Sequence, residues 1–443
     1  MRVLVKKYIS GNASFWGLME YGLGPLIALA ATPILLRQLG TVGFGQFAMI
    51  MALAGFGNVA NLGAAVTGTK LVSERLHEPG GAMRGASVSF ALVGCALVFV
   101  MAVALLAWGG VSWLWPHATF GGIAVSTLAL PAMIVYLSQQ FDQLFTGCLK
   151  GREAFATTAL CEVGGRFTAY TVTCTVAVMT QSPTLAAMTQ AGGLLATGLI
   201  KMHLFARRDG HYVVRPLMDR GAMGAAFRFS RWSWLNSLSA VAFGSVDRIL
   251  VGSLLGPATL AIYTVGAQIG QMIHTASVAV FQKTMPRISH LAAGADSVRA
   301  VYREVRRLMA VNLTLSVLGT AVALAISAPV LSLMLGHAYT PGHLMTFRLL
   351  IVAAGLLSLN VVAHFSLLGL GNSRAVAVLN GLAGLSMVCV LFMLVAPVGE
   401  SAAGWARIAY SVTTLYGIYL ALRQSRPPPL VPHAQRPVST ATR

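Results

Sequence analysis

The chain alternates long apolar segments with short polar connections, and this pattern continues from near the N-terminus to about residue 422. A membrane-crossing helix needs about 20 mostly apolar residues, because its backbone must satisfy its own hydrogen bonds inside hydrocarbon. Twelve segments meet this requirement, so the pattern predicts an all-α polytopic membrane protein with twelve transmembrane helices. The predicted spans cover about residues 14–36, 43–68, 85–108, 122–147, 156–179, 185–206, 232–254, 260–282, 308–335, 344–369, 375–396 and 402–422.

The composition agrees with this pattern and excludes a soluble protein. Only 10% of the 443 residues are charged and 56% are hydrophobic, whereas soluble domains carry about 25% charged residues. The net charge of +19 does not require nucleic acid as a partner. Most basic residues, with Lys201 counted among them, fall in the N-terminal segment, the even-numbered connections and the tail. The positive-inside rule then predicts an inner-membrane protein with both termini in the cytoplasm.

The longest internal polar stretch, residues 207–231, separates two groups of six predicted spans. We therefore predict an N-lobe at residues 1–206, a cytoplasmic linker at 207–231 and a C-lobe at 232–422. Residues 423–443 are rich in proline and are predicted to form a disordered cytoplasmic tail. The N-terminal segment has basic residues but no cleavage motif, so the first span is expected to stay in the mature protein.

A short repeat supports the division into two lobes. Residues 39–48 (LGTVGFGQFA) and 255–264 (LGPATLAIYT) both follow the first span of a lobe, and Gly40 and Gly256 lie 216 positions apart. Because each lobe has an even number of spans, both copies keep the same orientation in the membrane.

The segments around this repeat resemble the signatures of a known transporter family. Residues 36–47 (LRQLGTVGFGQF) and 247–256 (DRILVGSLLG), with 261–264 (AIYT) after them, are similar to Wzx-type polysaccharide and O-antigen flippases of the multidrug/oligosaccharidyl-lipid/polysaccharide superfamily. The resemblance implies a MATE-like, V-shaped pair of helical bundles around a central cavity, working by alternating access. It also implies a polyprenyl-diphosphate-linked oligosaccharide as substrate, with a polysaccharide polymerase and chain-length proteins as partners.

Charged side chains inside the predicted spans are the candidate functional groups, because each costs about 2.5–3.5 kcal/mol to insert. Eight such residues stand out: Glu20, Asp142, Glu162, Arg166, Asp247, Arg248, Arg348 and Arg407. Glu162 and Arg166 are four positions apart on one helix face, in the favourable acid-first order. A hairpin of the fourth and fifth spans places Asp142 near the depth of Glu162. Two interpretations stay open here, a structural ion pair or a protonatable, substrate-facing cluster on the cytoplasmic side.

The three arginines of the predicted C-lobe spans, Arg248, Arg348 and Arg407, lie in the outer half of the membrane. The substrate that the resemblance implies carries a diphosphate, and the planar guanidinium fork suits phosphate oxygens. We expect these three and Arg166 to bind substrate, with Arg248 as the first choice, although Arg348 and Arg407 could instead reach the outer interface. Asp247 points about 100° away from Arg248 around the helix, so we expect it to pair with an arginine of another helix.

The acids Glu20, Asp142, Glu162 and Asp247 are candidates for ion coupling or for lining the cavity. Glu20 could bind H⁺ or Na⁺, as acids in the first helix do in related multidrug exporters, or it could pair with a base inside its lobe. The five cysteines have no paired ligand spacing, so we expect no metal site and no cofactor.

Two other functions stay open. A cation-coupled drug or metabolite exporter of the same superfamily predicts an acid-lined cavity. A membrane polysaccharide polymerase or ligase predicts a long outward loop, whereas the predicted outward loops are short. The sequence also contains no phosphate-binding loop, nucleophile elbow or zinc-protease motif, so we expect a protein that is not an enzyme.

Overall fold

The computed structural model describes residues 13–58, 64–281, 283–292, 297–336 and 340–425. This part of the chain is almost entirely helical, apart from one short antiparallel hairpin. The helices are α1 (Ala13–Gly57), α2 (Ala64–Glu74), α3 (Gly81–Leu114), α4 (Val125–Gly151), α5 (Phe155–Thr180), α6 (Pro183–Arg207), α7 (Arg220–Phe281), α8 (Thr284–Ala292), α9 (Ser297–Ala325), α10 (Ser327–Leu335), α11 (Pro341–Leu359), α12 (Val361–Gly369), α13 (Ser373–Val398) and α14 (Ala402–Ser425). The hairpin strands are β1 (Thr119–Phe120) and β2 (Ile123–Ala124), and a short 3₁₀ turn (Gly399–Ser401) precedes α14.

Most of the predicted apolar segments fall in these helices, and six helical stretches within the described residues are long and apolar enough to cross a membrane. The segment at 43–68 is divided between the end of α1 and the start of α2, and its residues 59–63 lie outside the described part of the chain. Two other predicted segments are interrupted. The segment at 308–335 divides at Ile326, and the segment at 344–369 divides at Asn360. At the second break, Asn312 Nδ2 donates to the carbonyls of Ser358 (2.8 Å) and Leu359 (3.2 Å). A broken helix is tolerated in an apolar environment where neighbouring side chains satisfy its freed carbonyls in this way.

The repeated sequence segments adopt the same backbone conformation. Both α1 and α7 turn sharply within their length, at Gly40 (φ 68°, ψ 174°) and at Gly256 (φ 86°, ψ 174°). This region of backbone space is essentially open only to glycine. The 216-residue repeat therefore marks two equivalent turns, each joining a pair of helices.

The two glycine turns pack against each other. A Cβ atom built on Gly45 would lie 2.8 Å from the Cα and 2.5 Å from the carbonyl carbon of Pro257, so only glycine fits. Arg37 Nη2 donates to the carbonyl of Leu333 (2.9 Å), and Gln46 Nε2 donates to two hairpin carbonyls (2.8 and 3.1 Å). The largest hydrophobic cluster lies here and takes residues from both halves of the chain. The halves are therefore held together at this end, which we call the turn end.

The polar connection between α6 and α7 is shorter than the predicted linker, because α7 already begins at Arg220. Asp219 caps this helix by accepting from the backbone N–H of Ala222 (3.1 Å), and it forms an ion pair with Arg84 (2.9 Å). These two interactions, the backbone hydrogen bond first, hold the pKa of the Asp219 carboxyl below its usual value. The start of α7 is thereby tied to the beginning of α3.

Candidate functional site

A buried charged cluster joins three helices of the first half of the chain. The Lys201 ammonium on α6 donates to Asp142 Oδ1 (2.6 Å) and Thr146 Oγ1 (2.8 Å) on α4, and to Glu162 Oε1 (2.6 Å) on α5. The Thr146 hydroxyl also lies 2.9 Å from Glu162 Oε1. Lys201 is completely buried, with 0% of its surface exposed. The expected proximity of Asp142 and Glu162 is confirmed, and a lysine lies between them.

Arg166 extends this cluster towards α1. Its Nη2 atom lies 3.2 Å from Glu162 Oε2, and 40% of its side chain is exposed. The predicted Glu162–Arg166 pair is therefore present, with one buried and one partly exposed member. The guanidinium lies against Gly24 of α1, where an added Cβ would be 3.1 Å from Arg166 Cζ. The four charged groups of the cluster, two acids and two bases, sum to zero.

A second charged group lies in the second half of the chain. Asp247 Oδ2 accepts from the Tyr263 hydroxyl (2.6 Å) and lies 3.3 Å from Arg407 Nη2 on α14. The Asp247 side chain is 3% exposed and the Arg407 side chain 23% exposed. The prediction that Asp247 pairs with an arginine of another helix is confirmed. The charge of Arg407 is consequently compensated within the protein.

Arg248 differs from the other arginines of the candidate set. It is half-buried, and in the described part of the chain its guanidinium has no hydrogen-bond or ion-pair partner. Its backbone N–H donates to Asp247 Oδ1 (2.7 Å), so the neighbouring carboxylate does not neutralise its side chain. Arg166 belongs to α5 and Arg248 to α7, so the two arginines come from opposite halves of the chain.

The other candidates lie outside these clusters or cannot be placed. Arg348 is exposed, and its Nε donates to Ser327 Oγ (3.1 Å), so it joins neither cluster. Glu20 falls in α1, but its side chain is not among those described. Among the described residues, no group of three or more histidine, cysteine, aspartate or glutamate side chains could hold a metal ion.

Lys201 is the site residue that the sequence analysis placed wrongly. It was assigned to the cytoplasmic end of its helix with the arginines that follow it, whereas its ammonium is buried between α4 and α5. Its position inside the predicted span at 185–206 was the available signal. This position alone does not show that the ammonium is buried, because a lysine near a helix end can also extend its side chain to the membrane interface.

Comparisons with known proteins agree with a transporter fold. The sequence profile described as "Polysaccharide biosynthesis protein" matches residues 11–292. The chain is 20% identical over 430 residues to a Shigella flexneri protein named "Putative O-antigen transporter", covering 92% of this chain and 96% of that protein.

Solved structures show the same fold. The inward-facing conformation of a multidrug resistance MATE family transporter of the MOP superfamily gives a TM-score of 0.75 at 16% identity, covering 91% of this chain and 94% of that one. An outward-facing MATE conformation gives 0.59 at 15% identity (94% and 95% covered). A Pyrococcus furiosus MOP superfamily transporter, described as having a binding pocket of reverse polarity, gives 0.56 at 14% identity (94% and 95% covered).

Proposed function

The chain belongs to the polysaccharide biosynthesis protein family, and on this premise we propose that it flips lipid-diphosphate-linked oligosaccharides across the bacterial inner membrane. The proposed architecture is twelve membrane-spanning helices in two six-helix lobes, residues 1–206 and 232–422, around a central cavity. Both termini lie in the cytoplasm. The protein acts as a transporter and not as an enzyme, and a polysaccharide polymerase with its chain-length proteins uses the delivered units.

The guanidinium of Arg248, which has no hydrogen-bond or ion-pair partner among the described residues, is the observation that carries this proposal. A half-buried arginine without an anionic partner is costly inside a membrane, and a phosphate group supplies the missing charge with matching geometry. Arg166, whose side chain is 40% exposed, is the second arginine that we assign to the diphosphate, from the opposite half of the chain. A diphosphate between Arg166 and Arg248 contacts both halves of the chain, so a change in their separation moves its binding site.

The packing of the two glycine turns supports a state that is closed at the turn end. The Gly45–Pro257 contact and the hydrogen bond from Arg37 to Leu333 hold the halves together there. The TM-score is also higher for the inward-facing MATE conformation (0.75) than for the outward-facing one (0.59). We assign the turn end to the periplasmic side, so this state receives substrate from the cytoplasm.

A cation-coupled exporter is less well supported by the charges. It requires acids that are free to bind a cation, whereas Asp142 and Glu162 are bonded to Lys201 and Asp247 is bonded to Arg407. The described acids of the two clusters are therefore already neutralised by basic side chains.

Complementation of polysaccharide export in a flippase-deficient strain tests the proposal, with membrane abundance measured in parallel. A charged hydrogen bond contributes about 1.5–3 kcal/mol, so Arg248→Ala is expected to lower export about tenfold or more. Arg248→Lys keeps the charge without the fork and is expected to retain part of the export. Arg374→Ala is the matched control, because it removes an exposed arginine that belongs to neither cluster and is not a candidate site residue. Full export by abundant Arg248→Ala protein would refute the assignment.

A further inference from the structure

The Lys201 ammonium occupies a cage of three side-chain oxygens, one for each of its N–H donors. Three oxygens, from Asp142, Thr146 and Glu162, lie 2.6–2.8 Å from its Nζ atom. The helices are closely packed at this point. A Cβ on Gly198, three residues before Lys201, would lie 3.1 Å from the Asp142 Cα. The small residue brings α6 close enough to α4 for the lysine to enter the cage.

The charge of Lys201 determines what remains for Arg166. With the ammonium in place, Glu162 gives one carboxylate oxygen to Lys201 and the other to Arg166. Without it, two buried carboxylates would face one another, and only Arg166 could compensate them. Two carboxylates sharing a site repel each other strongly, and a buried charge that loses its partner is strongly destabilising. Arg166 would then be held by the acids and its positive potential cancelled.

We propose that Lys201 is a resident counter-cation that compensates one of the two buried acids, so that Arg166 faces a single remaining negative charge and stays available to a diphosphate. Lys201 is a positioning residue in this scheme, since it is fully buried and acts on Arg166 through their shared partner Glu162. The inference rests on the proposed function, in which Arg166 is one of two arginines that receive the anionic head group.

The test uses charge-compensated variants of the full-length protein in detergent, with farnesyl diphosphate as the probe and farnesol as the uncharged comparison. With Arg166 counted, Lys201→Met leaves the cluster with one excess negative charge. We expect the affinity for farnesyl diphosphate to fall about tenfold or more, and each factor of ten corresponds to ~1.4 kcal/mol. Asp142→Asn combined with Lys201→Met restores neutrality with nearly unchanged shape. Affinity is expected to return to within about threefold of the unmodified protein, a factor that corresponds to less than ~1 kcal/mol. Farnesol binding is expected to change little in either variant.

The thermal midpoint of each variant separates this role from simple packing. If Lys201→Met only weakens the packing of the helices, its thermal midpoint falls and the affinities for farnesyl diphosphate and farnesol fall together. Alternatively, the affinity of the folded fraction for farnesyl diphosphate stays unchanged. Either result overturns the inference, as does a double variant that recovers its thermal midpoint but not its affinity. Arg248→Ala identifies failure of the proposed function itself. If Arg248→Ala binds farnesyl diphosphate as tightly as the unmodified protein, or if the unmodified protein shows no specific diphosphate binding, the anion site is wrong and the role of Lys201 fails with it.

Discussion

Gly45→Ala is the smallest change that acts on the contact between the two glycine turns. The new methyl group would lie 2.8 Å from the Pro257 Cα and 2.5 Å from its carbonyl carbon. Real Cβ atoms essentially never approach other heavy atoms below 3.0 Å. Because the obstacle is backbone, it cannot move aside by a change of rotamer. One of the two turns must shift.

The size of the effect follows from how the methyl group changes the free energy of two states, one with the turns in contact and one with the turns apart. Alanine improves the helix propensity by about 1 kcal/mol over glycine, but this gain is present whether or not the turns are in contact, so it cancels. Overpacking costs about 1–3 kcal/mol, and this cost arises only when the turns are together. The population with separated turns is therefore expected to rise roughly 5- to 150-fold.

Labelling of a single cysteine measures this population. Leu260 is completely buried at the contact, and Leu260→Cys in a variant without the five native cysteines should react with a membrane-impermeant maleimide only when the turns separate. We expect Gly45→Ala to accelerate labelling at least about fivefold. Gly94→Ala is the matched control, because a Cβ on Gly94 meets nothing within 4 Å. Equal labelling rates in the two variants, with equal thermal midpoints, would refute the reasoning.

Two further predictions concern the charged groups. Arg166→Ala leaves the buried cluster with a net negative charge and is expected to lower the thermal midpoint. Adding Glu162→Ala leaves a neutral Asp142–Lys201 pair, so the double variant should recover part of the loss. A double variant less stable than Arg166→Ala would contradict this prediction. Asp219 has a lowered pKa in the folded protein. Its contribution to stability is therefore fully present above the ordinary aspartate pKa of about 3.9, and it is lost as the pH falls through the lower pKa of the folded state. Asp219→Ala should therefore lower the thermal midpoint equally at pH 6 and pH 8 in unfolding scans, and a loss that differed between these two values would exclude the explanation.

Much of the helical organisation could be predicted from the sequence, because segment length and hydropathy are local properties. The apolar segments fall in helices, and the repeated Leu-Gly pairs mark two turns with the same backbone conformation. The breaks at Ile326 and Asn360 are not among the predictions, although Pro329 follows the first and Asn360 is polar, because such residues also occur in unbroken membrane helices when their neighbours satisfy the backbone. At Asn360 the freed carbonyls are satisfied by Asn312 from a distant position in the chain.

The sequence by itself placed eight charged residues, though not Lys201, inside apolar segments. It also determined that Glu162 and Arg166 share a helix face, because helical spacing alone relates them. Only the tertiary structure decided which charges neutralise one another. Lys201 lies between Asp142 and Glu162, and Arg407 pairs with Asp247, so Arg248 is left without a partner among the described residues. The physical reason is that the rotation of each helix about its axis is set by packing against its neighbours. A rotation of half a turn would exchange a buried ion pair for an unpaired arginine without changing a single residue.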